Sequence, residues 1–320
     1  MQRIMLKNAV FLKDVSIRSK KKRLAVSFFA LNLIASMVFM LILMLTNGNF
    51  ANYSNVDIQS FSWIYDGFII IECAMICIMA PMETGPAISN ERERQTLDVL
   101  LTTNMSHFDI ILGKYLSSAL YMLLTLVSLL PFQAVVLIYG GISLGQLFAV
   151  MLSQIITIMY LSSFGIYFST VIKKSSRASA VNLCVVFLIV AGSALLCVIA
   201  RVIGELNISY NSSVHTSTYN IFNTGEWSYL LLYLNPATTV FDVLDKLVGF
   251  GGVFSSNYNG MATIIDETAH VLDPNNFFIK HWAPIGFTLQ MVTACLMLRR
   301  SASKLNSVKR RKKHGKDKNN

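Results

Sequence analysis

Charged side chains are scarce in this chain: Asp, Glu, Lys and Arg together make up 14% of its 320 residues, against 54% apolar residues. A soluble protein of this length would need a charged, mixed surface, so that class is excluded. Nucleotide and hydrolase signatures are also missing. No GxxxxGK[ST] occurs, and its nearest relic, Ile-Leu-Gly113-Lys114-Tyr115, has Phe108 in place of the first glycine and Tyr115 in place of Ser or Thr. No HExxH, GxSxG or GxGxxG is found. The five cysteines, Cys73, Cys77, Cys184, Cys197 and Cys295, all fall inside apolar runs without a His or carboxylate cluster beside them. They read as small buried residues, with no metal set and no disulfide framework. No catalytic residue, cofactor site or metal site is expected, and any energy source must lie on a partner.

What the chain does have is long apolar runs, at about 24–46, 61–82, 115–139, 145–170 and 179–200, with a shorter sixth at 282–298 flanked by Phe277, Phe278 and Trp282. About 20 apolar residues are needed to cross a hydrocarbon core of about 30 Å. In lipid the backbone must satisfy its own hydrogen bonds, so each run is predicted to be a helix. The expectation is an all-α integral membrane protein of six transmembrane helices forming one transmembrane domain, 1–320. Its parts are a basic segment (1–23), helices 1–5 (24–203), an outer segment (204–281), helix 6 (282–298) and a basic tail (299–320). The first run is too long, and its basic leader too extended, for a cleaved signal peptide.

Charge sets the expected orientation. Of the 27 Lys and Arg residues, all but Arg201, Lys246 and Lys280 fall in residues 1–23, at Arg92, Arg94 and Lys114, at Lys173, Lys174 and Arg177, or in the tail from Arg299. These are alternate sides of one threading, which puts both termini and both loops in the cytoplasm, in a multi-pass protein of a bacterial plasma membrane. Loops 47–60 and 140–144 have no Lys or Arg, and 204–281 is acidic, with Glu205, Glu226, Asp242, Asp245, Asp266, Glu267 and Asp273. The tail's Lys309-Arg-Arg-Lys-Lys is expected to hold anionic membrane lipid, not nucleic acid. Residues 1–23 read either as a topogenic anchor or as an interfacial helix, since Ile4, Met5, Leu6, Val10, Phe11 and Leu12 are only loosely faced. Phe241, Leu244, Leu247 and Val248 fall at helical spacing, which predicts a helix at 236–249 lying on or dipping into the outer leaflet.

The most distinctive stretch is 81–119. Pro81 is expected to close the second span and Pro86 to keep the exit extended. Asn90 and Glu93 suggest a capping box opening an amphipathic helix with Leu97, Leu100 and Leu101 on one face. Asn104 would end that helix, and Ser106 with Asp109 would cap the next. The charges at 91–94 could also be no more than a solvated loop face.

Pro81, Glu91, Arg92, Glu93, Arg94, Thr96, Leu97, Leu100, Leu101, Gly113 and Lys114 together resemble the pattern of ABC-2 type permeases. Two departures show: Gln95 stands where glycine is usual and Asn104 where proline is common. Because glutamine favours helices, 91–101 is expected to stay one continuous helix. The resemblance extends to the basic leader, the six-span layout and Asn235-Pro236. It implies a half-transporter, an exporter subunit paired with a second permease subunit (identical or paralogous) and driven by separate ABC ATPase subunits. The helix at 91–101 would be the coupling helix, and the 172–178 loop with Lys173, Lys174 and Arg177 a second contact. The alternative is an ATP-independent secondary transporter or a membrane-embedded assembly factor, although no inverted repeat is visible. The transported substrate stays open among peptide, lipid, drug, ion and polysaccharide.

Glu72, mid-way along the second run, is a possible intramembrane polar site, since a carboxylate there costs roughly 2.5–3.5 kcal/mol on insertion scales. Gln154 or Asn182 are its expected partners. For the topology, reporter fusions after Asn55 and Asn257 are expected to report the outer face, and fusions after Asn104, Ser175 and Asn320 the cytoplasm. A cytoplasmic signal from Asn257 would overturn the threading.

Overall fold

The computed structural model describes residues 9–19, 58–102, 105–139, 143–211, 229–244 and 281–317, together with scattered helical residues between 26 and 44. Most of the 204–281 segment, Asn104 and the last three residues of the tail therefore lie outside the described residues, as does about half of the first predicted span. Among those described, the secondary structure is helical, with no strand. We number the helices α1 (Ala9–Ser19), α2 (Ile58–Thr84), α3 (Pro86–Glu93), α4 (Leu97–Thr102), α5 (His107–Tyr139), α6 (Leu144–Val171), α7 (Ser175–Phe187), α8 (Ser193–Asn211), α9 (Tyr229–Leu232), α10 (Pro236–Leu244) and α11 (Trp282–Asp317). A π-helical turn, Leu188–Gly192, joins α7 to α8.

Four stretches among the described residues are long and apolar enough to cross a membrane: Tyr65–Glu93, His107–Ala134, Leu144–Val171 and Ser175–Ala200. They correspond to the second to fifth predicted runs. The sixth run forms the first half of α11, which continues for 36 residues into the basic tail. At the α-helical rise that is about 54 Å, well beyond the hydrocarbon thickness.

The bundle is organised around α6, which packs against α2, α3, α5, α7, α10 and α11. Its buried face is rich in small and polar residues, including Ser153, Thr157, Ser162, Ser163, Gly165, Ser169 and Thr170. Apolar burial offers little drive between helices already in lipid, so close approach and hydrogen bonds must hold them, and small residues permit both. Many of the hydroxyls bond back to their own helix: Ser163 Oγ donates to the Tyr160 carbonyl at 2.6 Å and Thr157 Oγ1 to that of Ser153 at 3.0 Å. A sequence cap fixes the start of α6, where Ser143 and Gln146 form a reciprocal capping box.

Two local expectations change, both at prolines. Helix α2 runs through Pro81 to Thr84 instead of closing there, and Gly85 keeps right-handed helical dihedrals with its N–H on the Pro81 carbonyl at 3.0 Å. Pro86 begins α3, a site where its missing N–H is not needed. The exit of the second span is thus nearly continuous helix. The helix expected at 236–249 is described as far as Leu244, as α10, where Val240, Val243 and Leu244 pack with Tyr65, Phe68, Ile69 and Val150. Its Asp242 is tolerated because Oδ2 accepts the Ala283 N–H at 3.0 Å and so caps α11.

At the same end, Asn235 Oδ1 accepts the Ala237 N–H (2.9 Å), and its Nδ2 donates to the Val190 carbonyl (3.0 Å) and Ser193 Oγ (2.9 Å). One side chain therefore caps α10 and pins the π turn, whose irregular hydrogen bonding leaves a carbonyl to accept it. Gln290 Nε2 reaches the Tyr233 carbonyl and Thr239 Oγ1, both at 3.3 Å.

Gly165 marks a close helix approach: a Cβ there would overlap the Thr84 side chain and come within 2.8 Å of Asn182 Nδ2. Gly165→Ala is expected to cost about 1–3 kcal/mol of stability through overpacking, read as a lower unfolding temperature of the purified protein. Adding Thr84→Ala, which removes the obstructing hydroxyl, is expected to restore part of the loss.

Candidate functional site: a braced helical segment between the second and third runs

Residues 86–102 form a compact unit at one end of the bundle, the end that also carries α1 and the 172–175 loop. The predicted single helix over 91–101 is in fact two, α3 and α4, broken at Arg94–Thr96. Gln95 sits at φ 58°, and it is the only non-glycine residue with positive φ among those described. The Gln95 N–H donates to the Arg92 carbonyl (3.1 Å) and the Thr96 N–H to the Glu91 carbonyl (3.0 Å). This pair of bonds is a Schellman ending, whose left-handed position is usually glycine. The glycine usual at this place in the family pattern thus has a backbone reason, and glutamine's helix propensity is overridden, at a cost of about 1–2 kcal/mol for the left-handed conformation.

Asn90 does not cap a helix. It lies inside α3, where its Oδ1 accepts from Arg94 Nε at 3.3 Å. The downstream cap stands as predicted: the Asp109 N–H donates to Ser106 Oγ (3.1 Å) and Ser106 Oγ donates to Asp109 Oδ2 (2.6 Å).

Each of the first three charges of the 91–94 cluster ties the segment to a different part of the bundle. Glu91 Oε1 is 2.8 Å from Lys114 Nζ, and Lys114 is also 2.8 Å from Asp14 Oδ2 on α1. Lys114 is only 6% exposed. Thr96 Oγ1 donates to the Glu91 carboxylate, which orients it from the other side. Arg92 donates to the Thr170 carbonyl at the end of α6 (2.9 Å). Glu93 accepts from the Ser175 N–H (3.0 Å) and Ser175 Oγ (2.6 Å), placing a carboxylate at the positive end of α7. Ser169 Oγ of α6 accepts both the Ile88 and Ser89 N–H groups at the start of α3 (2.8 and 3.0 Å).

The leucines divide differently from expectation. Leu97 and Leu101 are buried within the chain against Ile88, Ile110, Tyr115 and Leu298, and Leu100 packs partly buried against the same cluster. The outward surface is instead Glu93, Arg94, Gln95, Thr96, Asp98 and Val99, with Val99 69% exposed. Lys173, Lys174 and Arg177 are exposed beside it, brought close by the Glu93–Ser175 contact.

Glu72 lies far from this unit, mid-way along α2 and 2% exposed. Its Oε2 accepts from Gln133 Nε2 (2.7 Å) and Gln154 Nε2 (3.1 Å). Gln154 is one of the two expected partners. Asn182, the other, instead bonds Thr84 Oγ1 at 3.5 Å.

The sequence reading missed Asp14, Thr170, Ser175, Gln133 and the buried Asp66. Asp14 carried a usable signal, being the lone acid in residues 1–23, and Gln133 is a long polar side chain inside an apolar run. The Thr170 carbonyl carried none, because a backbone acceptor has no sequence signature.

A bundle of long apolar helices, held by small polar contacts and carrying a braced helical segment at one end, defines a multi-pass membrane protein. The chain belongs to the ABC-2 family: it matches the family described as ABC-2 family transporter protein over residues 8–298. No curated protein matches it.

The Lys114 cluster is expected to behave cooperatively. Lys114→Met strands two carboxylates at a mostly buried site, and breaking such a pair costs about 3–5 kcal/mol. Asp14→Asn or Glu91→Gln alone leaves the ammonium one anionic partner and is expected to cost less. The double change should cost more than the two singles summed, as for residues in one network. Thermal unfolding of the four variants, with limited proteolysis ahead of residue 20, checks this.

Proposed function

We propose that the chain is the membrane-spanning half of an ATP-driven exporter, pairing with a second permease subunit, identical or paralogous. It has six spans with both termini cytoplasmic, and 86–102 couples it to a separate ATPase subunit. Membership of the ABC-2 family supports a permease whose ATP hydrolysis sits on a partner. The observation that carries the coupling role is the brace: Glu91, Arg92 and Glu93 bond the segment to α5, to α6 and to α7, while Arg94, Asp98 and Val99 are exposed. A push on the exposed tip would therefore reach several membrane helices as rigid-body displacement.

This division changes which residues would face the ATPase. Val99 is the apolar anchor, with Arg94, Lys173, Lys174 and Arg177 as charged surroundings. Leu97, Leu101, Glu91, Arg92 and Glu93 act from within, by holding the tip in place. Leu100, partly buried, sits between the two groups.

Val99→Asp is expected to leave membrane insertion and unfolding temperature unchanged while lowering ATPase co-purification at least tenfold, about 1.4 kcal/mol. Leu97→Ala and Leu101→Ala are expected to lower the unfolding temperature first. Full assembly and full ATP-dependent export by Val99→Asp at parental membrane levels would overturn the assignment.

A further inference from the structure

We infer that Glu72 is a proton-binding site inside the bundle. At neutral pH it holds a proton on Oε1, while Oε2 is the carbonyl oxygen that joins α2 to α5 and α6. The two oxygens are used unequally. Oε2 accepts from Gln133 Nε2 at 2.7 Å and from Gln154 Nε2 at 3.1 Å. Oε1 is buried and has no hydrogen-bond partner among the described residues. In a carboxylate both oxygens carry the charge, and each is an acceptor only. In a carboxylic acid they differ, one accepting as a carbonyl and the other donating as a hydroxyl. Two donors on one oxygen and none on the other is the pattern of the acid.

The surrounding acceptors point the same way. Gln133 Oε1 and Gln154 Oε1 are also buried without a donor among the described residues. Each belongs to the amide whose nitrogen reaches Oε2, so all three orphan acceptors lie within one amide's length of the same carboxyl. Buried acceptors without donors are costly. An ionised Glu72 would add only acceptors to this set, whereas a proton on Oε1 supplies the donor that the cluster lacks.

No counter-charge is at hand to hold an ionised carboxylate instead. Glu72 is 2% exposed. The helices that meet at it contain no Lys, Arg or His within 58–84, 115–139 and 144–171, and every ionisable side chain in those stretches is itself an acid, Asp, Glu, Cys or Tyr. The neighbouring stretches 179–200, 236–244 and 282–298 hold no Lys, Arg or His either. The two glutamine amides donate hydrogen bonds but carry no net charge. A carboxyl buried in lipid without a cationic partner neutralises itself by keeping its proton.

The experiment is infrared spectroscopy of the full chain at neutral pH, in a detergent without carbonyl groups and without any ATPase, so its outcome does not depend on the coupling assignment. A protonated carboxyl absorbs above the amide I band and a carboxylate below it. Subtracting the Glu72→Gln spectrum from that of the parent is expected to show one band lost in the acid region and none in the carboxylate region. In the parent, glutamate labelled with carbon-13 at the side-chain carboxyl is expected to move that band to lower frequency, which separates Glu72 from the buried Asp66. The labelled parent needs no variant, so it decides the question even where Glu72→Gln folds poorly. A loss confined to the carboxylate region would overturn the proposal. So would a labelled parent with no shifted band in the acid region.

Discussion

An ammonium buried at the mouth of a membrane helix must be neutralised, and Lys114 is neutralised from two sides. Asp14 reaches it from α1 and Glu91 from α3, each at 2.8 Å. Leaving such a charge unpaired would cost several kcal/mol, so the pairing constrains all three elements at once. It docks α1 against α5. It also sets the rotation of α3, because a helix with Glu91 on Lys114 must present Arg92 and Glu93 to α6 and α7. The exposed tip at 94–99 is what remains once these bonds are made.

The opposite end of the bundle obeys the same rule with neutral groups. A turn that departs from α-helical bonding at 188–192 is pinned by Asn235, and the first turn of α11 is capped by Asp242 from α10. Gln290 gathers acceptors from the segment before α10 and from α10 itself. Between the two ends, α6 supplies small residues that let its neighbours approach closely, as Gly165 does against Thr84. Hydrocarbon cannot drive helices together, so these bonds and close contacts carry the specificity of the packing.

Much of this was legible residue by residue. Helical class, the bounds of four long runs, the Ser106–Asp109 cap and the Glu72–Gln154 pairing all follow from local chemistry: apolar length, capping preferences and the need of a buried carboxylate for a donor. The misreadings share one cause. Asn90 looked like a cap and Gln95 like a helix former because propensity weighs each residue alone, whereas the Schellman ending at Arg94–Thr96 is set by where the chain must go next. Pro81 looked like a terminator, yet packing against neighbouring helices carries α2 past it.

By itself, then, the sequence determined that this chain is helical, that it belongs in a membrane, and which short stretch is unlike the rest. Those properties are sums over local terms: hydropathy over 20 residues, charge over a loop, a family pattern over 30 positions. Only the tertiary structure decided which of the 91–101 side chains face inward. The amphipathic pattern marked Leu97, Leu100 and Leu101 as one apolar face but could not say what covers it. Ile88, Ile110, Tyr115 and Leu298 do, from elements as far away as α11. The charges likewise advertised a surface, and three of the four bond within the chain, to a lysine, a backbone carbonyl and a helix terminus, the last of them (Glu93) while staying exposed. The physical reason is that burial and pairing are properties of contacts between distant segments, which no window of local sequence contains.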